Sequence, residues 1–213
     1  MAASSIERGT LAVLLAAGAG TRFIGPTHKL HAMVRGRQVS AWALQALLEA
    51  SVGPVLIVEG ATPIQLPPVL SKAALISIET WGAPTHVHNP RWLSGLASSV
   101  QCAVAHAQSL QMENIVFGLA DQPCVTAQSW RDVAHASAPL AVATYAGKRG
   151  NPVKVHAELW AQLPSTGDEG ARNLLRVHHQ LVQEVACSGS ALDVDTVEDL
   201  ARAEALLTEY QAT

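Results

Sequence analysis

The chain has 213 residues and a formal charge of -3, from 14 basic and 17 acidic side chains. Apolar residues make up 49% and charged ones 15%, which supplies a core and argues against disorder. The basic residues are scattered and no apolar run approaches the ~20 residues of a membrane span, so neither a nucleic acid nor a bilayer is an expected partner.

Residues 10–16 are an apolar run that predicts a buried strand, followed by a glycine-rich loop over 17–29. Trp42, Leu44, Leu47 and Leu48 fall on a helical period, which predicts a helix over 40–50 with Ser40 as its N-cap. Gly53-Pro54 ends it, and 55–58 predicts a second strand. Pro63, Pro67 and Pro68 limit any helix within 61–72. Short strands are expected at 76–79 and 85–88, a helix at 94–108, a strand at 115–119 and a helix at 128–136. A strand at 140–145 is followed by 151–156, read as a sheet extension of different direction. A helix at 168–178, a strand at 181–185 and a closing helix at 196–210 complete the pattern, Thr196 and Asp199 fitting a capping box. Strands alternating with helices imply βαβ units, hence an α/β fold: one domain over 1–213 with a mostly parallel twisted sheet and helices on both faces.

The three cysteines, Cys102, Cys124 and Cys187, are far apart and form no CxxC pair, so neither a disulfide framework nor a zinc site is expected. Residues 1–9 carry Glu7 and Arg8 and lack the long apolar core of a leader, which makes the cytoplasm the expected location. His86 and His88 share one strand face, but no third ligand has matching spacing, so no histidine metal site is expected.

Three segments carry the chemistry. At 14–22 a strand opens into a loop containing Ala16, Ala17, Gly18, Ala19 and Gly20, with Arg22 and then Lys29 beyond it. Glycines there permit a tight turn and let successive N–H groups face a phosphate, although an ordinary strand-to-helix turn has the same composition. The P-loop pattern fails because Pro26-Thr27 follows Gly25, and a dinucleotide fingerprint fails because position 23 is Phe23. At 118–123, Asp121 stands just past the carboxyl end of a strand, where open α/β sheets bind ligands. It reads either as a Mg²⁺ ligand or as the cap of the next helix. At 192–196, Asp193 and Asp195 share one face if the segment is extended, which suits a cation between them, or else Asp195 caps the last helix.

In their order along the chain, LAAGAGTR and HKL within 15–30, NPRWLSGLASSV at 89–100, GLADQP at 118–123, GNPV at 150–153, GDEGAR at 167–172 and DVDTVEDL at 193–200 resemble the MobA-like nucleotidyltransferases, most closely the molybdenum cofactor cytidylyltransferase branch. The resemblance implies a Rossmann-like nucleotidyltransferase fold. It also implies transfer of CMP from CTP to a phosphorylated acceptor, molybdopterin, with release of pyrophosphate. Ala16 to Gly20, with Lys29, would hold the triphosphate; Arg22 and Lys29 would neutralise it. Gly95, Ser98 and Ser99 would lie near base and ribose. Asp121 and Asp195, supported by Asp193, would hold Mg²⁺. Gly150, Asn151, Pro152, Gly167, Asp168 and Arg172 would face the acceptor, and a molybdoenzyme would receive the product. The loop from Arg22 to Lys29 is about two residues longer than the family's pattern, and Val197 replaces its proline. A guanylyltransferase, a non-catalytic cofactor chaperone and an oxidoreductase on a similar sheet are the alternatives.

Overall fold

The computed structural model describes residues 9–211, so the reading of residues 1–9 as no leader lies, Gly9 apart, outside the described part. The sheet strands are β1 (Thr10–Ala16), β4 (Val55–Glu59), β5 (Thr85–His88), β6 (Asn114–Leu119), β7 (Leu140–Tyr145), β8 (Lys148–His156) and β9 (Val182–Ala186). A small hairpin, β2 (Met33–Val34) and β3 (Arg37–Gln38), stands apart. The seven sheet strands run in the order β5-β4-β1-β6-β8-β7-β9. Every pairing is parallel except those of β8, which is antiparallel to β6 and to β7, the different direction expected of 151–156.

The helices are α1 (Val39–Ala50), α2 (Lys72–Trp81), α3 (Leu96–Ser109), α4 (Ala127–Ala134), α5 (Arg172–Val177) and α6 (Val197–Gln211). The period-2 alternation of β1 distributes them. Ala12, Leu14 and Ala16 pack with residues of α1, α2 and α4, whereas Leu11, Val13 and Leu15 pack with residues of α3 and α5. A third cluster joins Ala203 and Leu207 of α6, with Val194, to Ala32, Val34, Val39 and Cys124. It fastens the tail of the chain beside the loop that follows β1. Val194 also donates its N–H to the Asp121 carbonyl at 2.9 Å.

Three local expectations are corrected. Residues 76–79 lie inside α2, not in a strand. Ser71 caps that helix by accepting from the Ala74 N–H, and Ile76 and Ile78, within the expected strand, sit on helical turns. The helix expected at 168–178 is only α5, because Asp168 is engaged at another helix end (below) and Gly170 takes a positive φ of 52°. Ser40 is not the cap of α1: Gln38 holds that position without a side-chain bond, and the buried Ser40 hydroxyl donates to the Leu30 carbonyl at 2.9 Å.

Candidate functional site

The carboxyl ends of β1 and β6 lie side by side, and the loops leaving them form the floor of the site, as parallel register dictates. After β1 the chain turns through Gly18 and Gly20. Gly20 has φ +64°, and a Cβ there would lie 3.0 Å from His28 Nε2 and 3.2 Å from Lys29 Cγ. Only glycine meets both demands. The loop returns at His28, whose Nε2 bonds the Gly18 carbonyl at 3.1 Å. A short 3-10 turn, Lys29–His31, then carries Lys29 inward.

Lys29 is buried, and its Nζ donates to Asp121 Oδ2 at 2.5 Å and to Asp195 Oδ1 at 2.9 Å. Arg22 pairs with the second oxygen of Asp195, Nη2 to Oδ2 2.9 Å, from an exposed position on the loop. The long loop therefore leaves Lys29 between the two acids. Burial alone would lower the Lys29 pKa, but the charge and hydrogen bond of Asp121, then those of Asp195, outweigh it and hold the ammonium above its ordinary value. Asp193 faces a different partner: Gln122 Nε2 donates to its Oδ1 at 2.8 Å. Burial first, and the neighbouring charge of Asp121 second, raise the Asp193 carboxyl above the usual range.

Two cavities meet over this floor, with Leu15, Leu96, Leu119 and Asp168 lining both. The first, about 550 Å³, is walled by residues 17–22, Lys29, residues 92–96, Ser99 and Asp195. The second, about 370 Å³, has apolar walls from Phe117, Val142 and Val153 and a polar side from Arg149, Gly150, Asn151, Arg172 and Asp193. Asp168 stands at the junction for a structural reason: its Oδ1 accepts the Leu96 N–H at 3.1 Å, capping α3 from a distant loop. Gly95, the N-cap position, has φ +100°, and a Cβ there would lie 2.6 Å from that same oxygen.

Five residues expected at the site line neither cavity, Asp121 among them, which is joined to the first by its bond to Lys29. Ala16 is buried at the end of β1, and Pro152 lies within β8. Gly167 spends its backbone on Ala97 and Ser94. Ser98 is buried and accepts, with Ser99, from the amide of Asn89. Asn89, His28 and Gln122 were not foreseen as organisers of the loops. Each bonds a residue at least nine positions away in the chain, and although all three fall within the motifs above, nothing in those motifs announces the partner.

Among the described residues no group of three or more His, Cys, Asp or Glu is arranged to hold a metal ion. Asp121 and Asp195 nevertheless form an oxygen pair that converges on one cation, the Lys29 ammonium, and Asp121 Oδ1 is buried with no hydrogen-bond partner. Two carboxylates with an unsatisfied oxygen fit a hard divalent ion that takes its other ligands from phosphate oxygens and water.

Residues 12–184 match the MobA-like NTP transferase domain. The purine catabolism protein PucB of Bacillus subtilis (strain 168) is 29% identical over 204 residues, covering 89% of this chain and 93% of its own. A nucleotidyl transferase from Methanothermobacter thermautotroptrophicus superimposes with a TM-score of 0.73 at 21% identity, over 96% of this chain and 99% of that one. Rv0371C of Mycobacterium tuberculosis H37Rv, solved in complex with manganese, gives 0.68 at 23% identity, over 92% and 98%.

Proposed function

This chain belongs to the MobA-like NTP transferase family, and from that premise we propose that it moves CMP from CTP onto a phosphorylated small molecule of the molybdopterin type, releasing pyrophosphate. The observation that carries the proposal is the Asp121–Lys29–Asp195 cluster, set beneath a glycine loop and beside two adjoining cavities. An oxygen of the acceptor phosphate attacks the α-phosphorus of the nucleotide, and the bond from that phosphorus to the bridging oxygen breaks. The electron pair leaves with pyrophosphate.

The protein's part is positioning and charge. The first cavity has the size of a small-molecule site, within about 300–1,000 Å³, and takes the nucleotide, its triphosphate against the N–H groups of residues 17–20. Arg22 and Lys29 neutralise the charge that builds on pyrophosphate. Asp121 and Asp195 would hold a divalent cation, which would neutralise and polarise the phosphate oxygens; the Mycobacterium protein solved in complex with manganese supports a metal in this fold. Arg149 and Arg172 draw the anionic end of the acceptor into the second cavity, while Phe117, Val142 and Val153 receive its ring. A phosphate monoester is already anionic near neutral pH, because its second pKa is about 6. It needs no general base, in keeping with cavity walls that carry no histidine among the described residues. The cytidylated product would pass to a molybdoenzyme.

The test supplies Mg²⁺ and each of the four nucleoside triphosphates in turn, with and without molybdopterin, and measures pyrophosphate. Release with CTP that depends on molybdopterin is expected. Release with GTP and not CTP would move the reading to a guanylyltransferase, and the absence of release with all four nucleotides would contradict it.

A further inference from the structure

We propose that His28 is a positioning residue for the triphosphate loop, its imidazole tying the Gly18 carbonyl to the turn that carries Lys29. Both ring nitrogens are engaged. The Leu30 N–H donates to Nδ1 at 3.3 Å, which leaves Nε2 as the protonated nitrogen, and Nε2 donates to the Gly18 carbonyl at 3.1 Å. The ring lies against the hollow that Gly20 leaves by having no side chain. His31 meets it edge-on, with centroids 6.1 Å apart, and bonds Thr62 Oγ1 at 2.8 Å in the loop after β4. One bonded path thus crosses from Gly18 through His28 to the start of the Lys29 turn, and His31, at the end of that turn, joins it to the neighbouring loop through Thr62. Burial, countered only in part by the Gly18 carbonyl, lowers the His28 pKa and keeps the ring neutral, the form this bonding needs.

The segment between has a few other ties: the Phe23 N–H donates to the Gly20 carbonyl at 3.0 Å and the Phe23 ring packs against the third hydrophobic cluster, but neither joins Gly18 to the Lys29 turn. Ile24 is 89% exposed, and Arg22 projects from the same stretch to reach Asp195. Without the His28 tie, the backbone N–H groups of residues 18–20 and the Lys29 ammonium are no longer held in register.

A histidine that merely capped the short turn would use Nδ1 alone, and asparagine would replace it. His28→Asn keeps that acceptor for Leu30 but does not reach Gly18; His28→Gln keeps the reach. These two variants and His28→Ala are compared in two assays: the rate of tryptic cleavage after Arg22 in the native protein, and KM and kcat for CTP in pyrophosphate release with Mg²⁺ and molybdopterin. His28→Asn and His28→Ala are expected to be cut about fivefold faster. Their KM for CTP should rise about tenfold with kcat changed less than about threefold, while His28→Gln stays near wild type. His28→Asn at wild-type values in either assay, or His28→Gln as impaired as His28→Ala, overturns the proposal. The kinetic arm rests on the transferase reading. If the wild-type protein releases no pyrophosphate, that reading falls, and the proteolysis arm alone still decides for or against the tie.

Discussion

Lys29 stands where opposite demands meet. Its ammonium separates two carboxylates that would otherwise repel, yet the proposed reaction needs it on the leaving phosphates. Lys29→Met removes the cation and leaves Asp121 and Asp195 facing each other. Without divalent metal this should cost about 1–3 kcal/mol, less than for a fully buried pair because both acids keep some contact with water. Millimolar Mg²⁺ should restore part of it, since a ligand that binds only the folded state stabilises it. Thermal melts with and without Mg²⁺ measure both effects; equal Mg²⁺ responses in variant and wild type would contradict the shared-cation picture. Gly20→Ala is a second residue-scale test. Its left-handed backbone and the close His28 ring predict a loss of about 1–2 kcal/mol, read as a lower denaturation midpoint, together with weaker nucleotide binding. The importance of Gly20 was legible in the sequence as a glycine-rich loop. That of His28 was not, because nothing in the chain announces which side chain will fold back on a carbonyl ten residues earlier.

At the scale of elements, the last helix has a structural link to the site. Asp199 Oδ2 accepts from the Thr196 N–H at 2.9 Å, from the Thr196 hydroxyl at 2.9 Å and from the Asp195 N–H at 3.2 Å, so the capping box also fixes the backbone of a proposed metal ligand. Burial pushes the Asp199 carboxyl up, but these bonds and Arg202 outweigh it and hold the pKa below its ordinary value. A lowered carboxylate pKa stabilises the fold above the unfolded value of about 3.9 and loses that stabilisation as pH falls through the folded value. Asp199→Asn should therefore be less stable than wild type at pH 7, by about 1 kcal/mol, and the difference should vanish in acid below both values. Urea titrations across that range check it; a constant difference would contradict the assignment. This box was readable from Thr196 and Asp199, three apart. Helix α2 was not: Ile76 and Ile78 alternate like a strand, and the cap that decides otherwise, Ser71, follows a run of prolines that obscured it. The hairpin of β2 and β3 escaped for a related reason, since its turn places Arg35, not an asparagine or aspartate, at positive φ beside Gly36.

Across the whole molecule, the topology brings residues 22, 29, 121 and 195 to the carboxyl ends of the adjacent interior strands β1 and β6. Parallel register sets the loops after β1 and β6 side by side, and the third hydrophobic cluster folds the tail over them. The alternation of apolar strands and helices revealed the sheet, and six short motifs in order revealed the family. The pairing of Asp121 with Asp195 could not be read from spacing, because 73 intervening positions leave their distance to the fold. Nor could the division of labour between Asp193 and Asp195. They flank the buried Val194, yet one turns to Gln122 and the second cavity, the other to Lys29 and the first. The same logic explains Asp168, whose duty at the end of α3 joins the walls of both cavities. The most direct test of the account is pyrophosphate release from CTP and molybdopterin by Asp121→Asn and by Asp195→Asn, each compared with wild type at saturating Mg²⁺. The account predicts a loss of about 100-fold or more in kcat for both, and turnover within about threefold of wild type by either variant would contradict it.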